Sequence, residues 1–306
     1  MSHLDEMRTF VAVTDAQSLT GAAGTLNIAL SAVSRRLKEL ERRLGTTLIL
    51  RSTRSINLTT AGEDYLWRCR RILDDIQEAE SAVSQGAKKL MGRIRMAAPL
   101  TFSTQHLGPI LLDFMVQHPE VNIDLDLNDR RVDLIGEGFD LTIRIGQLSD
   151  SGLIAKRLTT IRRVPCAAPA LLAAYGQPEK PEDLAELPIL TYRSTRNHLT
   201  WPFTRPDGTS GVVKLGSRMA VNNGDMLCMA AEKGLGVVLE PTFITYQAIA
   251  SGTLVPLFAD HEWSDYAAYA LFAQNRNIPR RVRSLIDFIA EELSPEPAWD
   301  RHISFT

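Results

Sequence analysis

Residues 18–45 read SLTGAAGTLNIALSAVSRRLKELERRLG, and this stretch decides how the N-terminal part of the chain folds. Ser18 is a favoured N-cap residue for a short helix, and Asn27 tolerates the left-handed backbone of a tight turn. Gly45 is placed to end a second and longer helix. Apolar residues at helical spacing predict that second helix: Val33, Leu37, Leu40 and Leu44.

The longer helix has a polar and basic face opposite its apolar stripe, formed by Ser31, Ser34, Arg35, Lys38 and Arg42. Apolar spacing over residues 4–14 predicts one more helix before the stretch. Three helices with a serine- and arginine-bearing outer face are typical of a helix-turn-helix, whose last helix enters the major groove of DNA. The alternative is an amphipathic bundle whose basic face is only solvated.

Two short extended runs, 48–51 and 55–58, follow the longer helix and predict a β-wing. The wing would set Arg51 and Arg54 against the DNA backbone or the minor groove. A wing at this distance favours DNA binding over the solvated bundle. The candidate DNA-binding residues are Thr20, Ser31, Ser34, Arg35, Arg36, Lys38, Arg51 and Arg54.

The charge distribution agrees with this interpretation. The chain has a net charge of −2, but residues 35–71 contain ten basic and four acidic residues, a local charge of +6. The rest of the chain therefore carries −8. A basic segment on an acidic body is expected where one part of a protein meets phosphate and another does not.

Residues 60–85 predict a long helix that begins with a capping box, Thr60 to Glu63. Its apolar residues repeat at spacings of four and three, which is typical of a coiled-coil seam. The seam predicts a dimer helix, and the alternative is that it packs against its own domain. The seam residues are Tyr65, Cys69, Ile72, Ile76, Ala79 and Val83.

Residues 4–65 resemble the N-terminal domain of LysR-type transcriptional regulators. The matching runs are MRTFV at 7–11, SLTGAA at 18–23, SAVSRRL at 31–37, LERRLG at 40–45 and LTTAG at 58–62. The family usually has Ser and then Gln where this chain has Ala29 and Leu30. The loss of the Ser N-cap should cost about 1 kcal/mol of helix stability, and the loss of Gln removes an adenine-reading side chain.

The resemblance implies a regulator, not an enzyme, that binds double-stranded promoter DNA in the cytoplasm. It also implies a homodimer that pairs into a tetramer, with RNA polymerase as a further expected partner. The expected fold class is α/β with a largely helical N-terminal head. The head is a winged helix-turn-helix over 1–59, and a linker or dimerisation helix follows over 60–91.

From residue 92 onward, strands alternate with helices, which predicts parallel sheets covered by helices. A short helix is predicted near 131–137, a last helix near 279–293, and a loose tail over 294–306. The resemblance implies a two-lobed effector domain, like a periplasmic binding protein, over 92–306. Lobe I would take 92–162 and 268–294, and lobe II would take 163–267.

In such a domain, small ligands bind where strand carboxyl ends and helix N-termini converge. The resemblance therefore implies these effector-binding residues: Leu100, Thr101, Ser103, Asn128, Arg144, Asn222 and Asn223. Arg144 beside hydroxyl and amide groups suggests a carboxylate-bearing effector. The alternatives are that Thr101 or Ser103 is only an N-cap, that Asn223 marks only a turn, and that Arg144 forms a structural ion pair.

The sequence gives little support to an enzyme or a cofactor protein. It has no GxSxG, HExxH, Walker or GxGxxG motif, and its six histidines lack metal-ligand spacing. Cys69, Cys166 and Cys228 are odd in number and far apart, which fits a reducing cytoplasm and inert thiols. The absence of an 18-residue apolar window and of a signal-peptide pattern predicts no membrane association.

Overall fold

A computed structural model describes residues 2–51, 56–84, 89–148, 152–193, 199–263, 266–274, 278–294, 297–301 and 303, without the side chains of Arg51 and of 81–84. The chain forms two compact units. One contains residues 1–93 with 120–122, and the other contains 94–119 with 123–306.

The first unit contains four helices and a hairpin among its described residues. They are α1 (His3–Ala16), α2 (Leu19–Leu26), α3 (Leu30–Leu44), β1 (Ile49–Arg51), β2 (Ile56–Leu58) and α4 (Thr60–Ser84). The predicted signals at the helix ends are confirmed. The Ser18 side chain accepts a hydrogen bond from the Gly21 N–H, and Asn27 and Gly45 have φ of 51° and 67°. These local signals fix the angle at which α3 leaves α2.

The apolar stripe of α3 lies in the core of this head. Val33, Leu37 and Leu40 are fully buried against Phe10 and Val13 of α1. Leu44, the last residue of the predicted stripe, is 37% exposed because the helix ends there. Burial of three large aliphatic side chains contributes about 1.5–3 kcal/mol each, so the inner face of α3 fixes which residues face outward.

The hairpin and α4 are held to the head by specific backbone contacts. A Cβ at Gly62 would lie 2.1 Å from the carbonyl oxygen of Leu48, so only glycine allows α4 to approach β1 this closely. The predicted capping box from Thr60 to Glu63 is wrong, because the helix is capped one residue earlier and its N3 residue is then Gly62, which has no side chain to complete a box. Thr59, not Thr60, caps α4, because its hydroxyl accepts a hydrogen bond from the Gly62 N–H at 3.0 Å.

The first part of the predicted dimer seam is covered by the chain itself. Cys69 is fully buried in the head core, and the ring of Tyr65 packs 5.5 Å from that of Phe10. The prediction that Cys69 faces a partner is therefore wrong, and the packing alternative applies to it. Tyr65 is half-buried, so part of its side chain remains accessible. Ile72 is 40% exposed, Ile76 is half-buried and Ala79 is exposed. The side chain of Val83 lies outside the described residues.

Helix α3 begins without a side-chain cap. Ala29 has the extended backbone of an N-cap residue, φ −62° and ψ 143°, but its methyl group cannot accept a hydrogen bond. We expect Ala29→Ser to raise the free energy of unfolding by about 1 kcal/mol, because the hydroxyl would bond an unpaired N–H of the first turn. Urea denaturation measures this, with Ala29→Gly as control. A serine variant no more stable than the glycine variant would contradict the expectation.

The second unit is built on two five-stranded sheets. Its strands are β3 (Gly92–Ala98), β4 (Val121–Leu127), β5 (Leu141–Gly146), β6 (Leu153–Ile161), β7 (Arg163–Ala167), β8 (Ile189–Tyr192), β9 (Thr200–Thr204), β10 (Ser210–Lys214), β11 (Ser217–Val221), β12 (Val237–Pro241), β13 (Val255–Pro256) and β14 (Tyr266–Ala273).

The helices that cover these sheets alternate with the strands. They are α5 (Leu100–Phe102), α6 (Gly108–Gln117), α7 (Pro169–Tyr175), α8 (Gly224–Glu232), α9 (Thr242–Ala250) and α10 (Arg280–Glu292). A π-helical segment, Ser103–Leu107, makes α5 and α6 continuous, and two 3₁₀ helices cover Pro181–Glu186 and Ala298–Asp300.

The first sheet has the order β4-β3-β5-β14-β6, and the second has the order β11-β8-β12-β7-β13. The sheets are mixed, so the prediction of parallel sheets is only partly right. Strands β3 and β5 are parallel, as are β8, β11 and β12, but β14 and β7 run antiparallel to their neighbours. The chain passes from the first sheet to the second between β6 and β7, and returns through β14.

Strand β12 in the second lobe is apolar over three consecutive residues, Val237 to Leu239. Val237 and Leu239 pack into one core cluster, and Val238 packs into another on the opposite side. Both faces of the central strands are therefore buried, which is typical of a sheet covered by helices on both sides. The expected fold class is confirmed: a helical winged head, a long helix and a two-lobed α/β unit.

Two local predictions are wrong. Residues 131–137 form no helix; the segment turns at 134–138, where the Asp133 carboxylate accepts a hydrogen bond from the Gly136 N–H and Gly138 has φ of 73°. The predicted loose tail is packed where it is described. Trp299 is 3% exposed and Ile303 is 8% exposed.

Candidate functional site

The outer face of α3 carries most of the predicted DNA-contacting side chains. Ser31, Arg35 and Lys38 are exposed and Ser34 is half-buried, while Thr20 is exposed on α2. Across the ranges that the structure describes, no residue forms an ion pair with Arg35 or Lys38. Both cations are therefore available to an external anion.

Other basic residues of α3 are already engaged within the head. Arg43 pairs with Glu6 of α1 at 2.7 Å, and Glu6 is only 3% exposed. Arg42 pairs with Glu39 one turn earlier. The guanidinium of Arg36 donates to the Thr9 hydroxyl of α1 at 3.4 Å, so this predicted DNA contact is directed toward α1. Fewer basic side chains of α3 are therefore available to contact DNA than the sequence suggests.

The position of the wing depends on a residue that sequence reasoning missed. The carboxylate of Glu41 accepts hydrogen bonds from the backbone N–H groups of Leu48 and Ile49, at 2.9 and 3.1 Å. This fixes the start of β1 against α3. β1 pairs antiparallel with β2 from Ile49↔Leu58 to Arg51↔Ile56. The side chain of Arg51 and all of Arg54 lie outside the described residues.

The second candidate site lies where strand ends and helix starts of the two lobes meet. Thr101, only 6% exposed, donates a hydrogen bond from its hydroxyl to the carboxylate of Asp225 on α8. Gln105 donates to the same carboxylate at 3.0 Å. Thr101 is not an N-cap, because Pro99 occupies that position of α5. The pair instead links the two lobes directly.

Ser103 and Asn128 are buried polar residues with unused hydrogen-bonding groups. Ser103 is 2% exposed, and its hydroxyl has no hydrogen-bond partner among the described residues. The Asn128 side-chain oxygen accepts from the Arg130 N–H, whereas its amide nitrogen, also buried, has no described partner. Buried polar groups of this kind call for a specific explanation, such as a ligand or an ordered water molecule.

Arg144 lies near the carboxyl end of β5 and is half-buried. Burial lowers its pKa, and the neighbouring Arg131 lowers it further. No described residue offers it a carboxylate or a hydrogen-bond acceptor, which excludes the structural ion pair within the described part of the chain. A half-buried guanidinium with a second cation nearby favours the approach of an anion.

The asparagines before α8 have different roles. Asn223 is the N-cap of the helix, and its side-chain oxygen accepts from the Met226 N–H at 2.9 Å. The side-chain oxygen of Asn223 therefore has a local structural role, as a cap of the helix, and is not available to a ligand. Asn222 is exposed and has no structural partner among the described residues.

Sequence reasoning missed the acidic groups of this site. Burial raises the pKa of Asp129, which follows β4, and Asp225 raises it further. Burial also raises the pKa of Tyr192 at the end of β8, with contributions from Asp129 and Glu240. Asp129 and Tyr192 lie at the carboxyl ends of strands in two different sheets. That placement was the available signal, since polar residues at strand ends are ligand-site candidates.

Glu240, near the end of β12, is the most deeply buried of these acids. It is 2% exposed, and burial raises its pKa to about 7, against a smaller opposite effect of Arg163. Its carboxylate lies directly beneath the start of α8, because a Cβ on Gly224 would come within 2.9 Å of the Glu240 Oε2. Gly224 is required for this close approach.

The three cysteines are buried. Burial raises the pKa of Cys69 to about 11 and that of Cys228 to about 12, and it also raises the pKa of Cys166. Thiols with raised pKa values form little of the reactive thiolate. Over the described ranges, no group of three His, Cys, Asp or Glu residues is arranged to hold a metal ion. No helix in those ranges combines the length and the apolar character that a membrane crossing requires.

Two family models match the chain. Residues 4–63 match "Bacterial regulatory helix-turn-helix protein, lysR family", and residues 87–294 match "LysR substrate binding domain". An uncharacterized HTH-type transcriptional regulator of Haemophilus influenzae is 32% identical over 285 residues, which are 93% of this chain and 99% of that protein. An HTH-type transcriptional repressor of Pseudomonas aeruginosa is 31% identical over 298 residues, 97% of this chain and 94% of that protein.

The solved structures include a similar full-length protein. CrgA, a LysR-type transcriptional regulator from Neisseria meningitidis, has a TM-score of 0.60 and 29% sequence identity to this chain. The match covers 96% of this chain and 100% of CrgA. The similarity therefore spans the head, the long helix and both lobes.

Proposed function

Because the chain belongs to the LysR family of transcriptional regulators, which are DNA-binding proteins and not enzymes, we propose that its α3 enters the major groove. Ser31, Ser34 and Arg35 would contact base edges, and Thr20 and Lys38 would contact phosphates. The wing residues Arg51 and Arg54 would contact the DNA backbone or the minor groove. One observation carries this proposal: the outer face of α3 is exposed while its inner face forms the head core.

A mobility-shift assay with duplex DNA from upstream of the protein's own gene tests this function. We expect retardation of that DNA at protein concentrations that leave random DNA of equal length free. The affinity should fall steeply between 50 and 200 mM salt, because phosphate contacts release counterions. Equal affinity for the two duplexes would contradict a sequence-specific regulator.

The C-terminal unit of this family binds small-molecule effectors. We place the effector where the strand ends of the first lobe meet the start of α8, with Leu100, Ser103, Asn128 and Asn222 in contact. A carboxylate of the effector would pair with Arg144, which has no described acceptor of its own. The acidic groups on the α8 side, Asp225 and Glu240, would repel that carboxylate and so orient it toward β5.

We expect Arg144→Ala to weaken the binding of a small carboxylate by at least about tenfold, since a hydrogen bond to a charged group contributes about 1.5–3 kcal/mol. Isothermal titration of the full-length protein with a panel of small mono- and dicarboxylates measures this. The matched control is Arg157→Ala, which removes an exposed arginine of the same lobe whose guanidinium is hydrogen-bonded to Thr160. If a carboxylate binds both variants and the unaltered protein equally, Arg144 is not its partner.

Proteins of this family also form oligomers. We propose that this chain forms dimers through the exposed part of α4, with Ile72, Ile76, Ala79 and Val83 against a second copy, and that two dimers form a tetramer. The apolar exposure of Ile72 supports this, because an exposed stripe on a long helix requires a partner. The regulator would act in the cytoplasm, and RNA polymerase would be a partner at the promoter.

A further inference from the structure

The C-terminal segment 297–301 contacts both lobes of the effector unit through one side chain. The ring of Trp299 lies 4.4 Å from that of His106 and 5.8 Å from that of Phe102, measured between centroids. Both of these residues belong to the continuous helix that follows β3. On the other side, the ring of Phe243 on α9 lies 6.1 Å away. A tryptophan of this kind buries roughly 150–250 Å², so the contact is substantial.

The lobes also meet directly beneath this tryptophan. The rings of Phe102 and Phe243 form an edge-to-face pair at 5.2 Å. A hydrogen bond of 3.0 Å joins His106 Nε2 to the carbonyl oxygen of Phe243. Because a carbonyl oxygen only accepts, the Nε2 atom carries the proton, and burial lowers the pKa of His106 so that the ring stays neutral. Trp299 therefore covers a junction that both lobes build.

The neighbouring residue in the segment contacts the crossing between the lobes. Asp300 is 3% exposed, and its Oδ2 lies 4.0 Å from a guanidinium nitrogen of Arg162. Arg162 is the single residue between β6 and β7. Its carbonyl oxygen accepts hydrogen bonds from the N–H and the hydroxyl of Thr242, the first residue of α9. Trp299 and Asp300 thus act on the same junction from two sides.

We propose that residues 297–301 form a strap that fixes the orientation of the two lobes relative to each other. A rearrangement of the lobes would have to separate Trp299 from the rings of one lobe, or Asp300 from Arg162. The strap is a device of the fold itself, and it does not depend on where an effector binds. If it were only a cover for one lobe, removal of its contacts would leave the distance between the lobes unchanged.

Electron–electron double resonance tests the strap in the full-length protein. Spin labels are placed on exposed positions of the two lobes through Gln117→Cys on α6 and Ala174→Cys on α7. Dilution with unlabelled protein removes distances between copies. We expect one narrow distance distribution in the otherwise unaltered protein, and at least a twofold broadening or a shifted mean in Trp299→Leu.

The matched control is Trp263→Leu, which removes an equally buried tryptophan packed against Phe203 and Phe258 inside one lobe. This variant should keep the narrow distribution. Asp300→Asn is a milder change that keeps the packing of Trp299 and weakens the ion pair, and it should broaden the distribution in the same sense but less. Wild-type distributions in both Trp299→Leu and Asp300→Asn, or equal broadening in both tryptophan variants, would overturn the proposal. Neither DNA nor an effector enters the experiment, so its outcome is independent of the proposed function.

Discussion

Arg35→Ala is expected to lower the affinity for the specific DNA site by about 5- to 150-fold and to leave the affinity for random DNA nearly unchanged. The side chain is exposed on α3 and has no ion-pair partner among the described residues. A bidentate contact between arginine and a guanine edge discriminates by about 1–3 kcal/mol, which corresponds to this range. Fluorescence anisotropy with both duplexes measures the two affinities.

Arg42→Ala is the matched control for this prediction. It removes the same side chain from the same helix, but the guanidinium of Arg42 is paired with Glu39. We expect the variant to bind both duplexes within about twofold of the unaltered protein. Lys38→Ala should weaken both affinities together and lower the salt dependence by about one ion, as expected for a phosphate contact. A uniform loss of affinity in Arg35→Ala would contradict its role as a base-contacting residue.

Glu240→Gln is expected to stabilise the protein in a pH-dependent way. Burial raises the pKa of Glu240 from an ordinary 4.5 to about 7, so the folded state holds this proton more tightly than the unfolded state. The stability that protonation provides is present below about pH 4.5 and is lost as the pH rises through 7. The difference between the two pKa values corresponds to about 3 kcal/mol. Glutamine mimics the protonated form at every pH.

Urea denaturation at pH 5 and pH 8 measures this effect. The variant should lie within about 1 kcal/mol of the unaltered protein at pH 5 and be more stable by about 3 kcal/mol at pH 8. Glu186→Gln, which removes the same charge from an exposed position on the 3₁₀ helix, serves as the control and should show no such divergence. Parallel stabilities for Glu240→Gln and the unaltered protein at the two pH values would contradict the raised pKa.

The head could be predicted closely because its signals are local. The Ser18 cap, the Asn27 turn and the Gly45 end each depend on a few neighbouring residues. The contacts of Glu41 with the start of β1 were missed, because a glutamate on a basic helix looks like any solvated residue. Likewise, the repeat that begins at Tyr65 specifies an apolar stripe but not the surface that covers it.

The effector unit was predicted less completely because its site depends on distant pairs. Thr101 and Asp225 are 124 positions apart, and only the fold brings the hydroxyl to the carboxylate. The same reason explains the tail, since nothing near Trp299 in the sequence indicates that Phe102 and Phe243 receive it. Arg144 could be predicted from its position at a strand end. The sequence could not show that no described residue offers its side chain an acceptor.

The central claim, that the outer face of α3 lies in the DNA groove, is tested most directly by photo-crosslinking. A photoreactive amino acid replaces Ser34 in one variant and Tyr175, an exposed residue of α7, in another. Irradiation with the specific duplex should crosslink the first variant to bases of the protected site and leave the second uncrosslinked. The claim would be contradicted if the variant at position 34 binds the duplex but forms no crosslink, or forms no more crosslink than the variant at position 175.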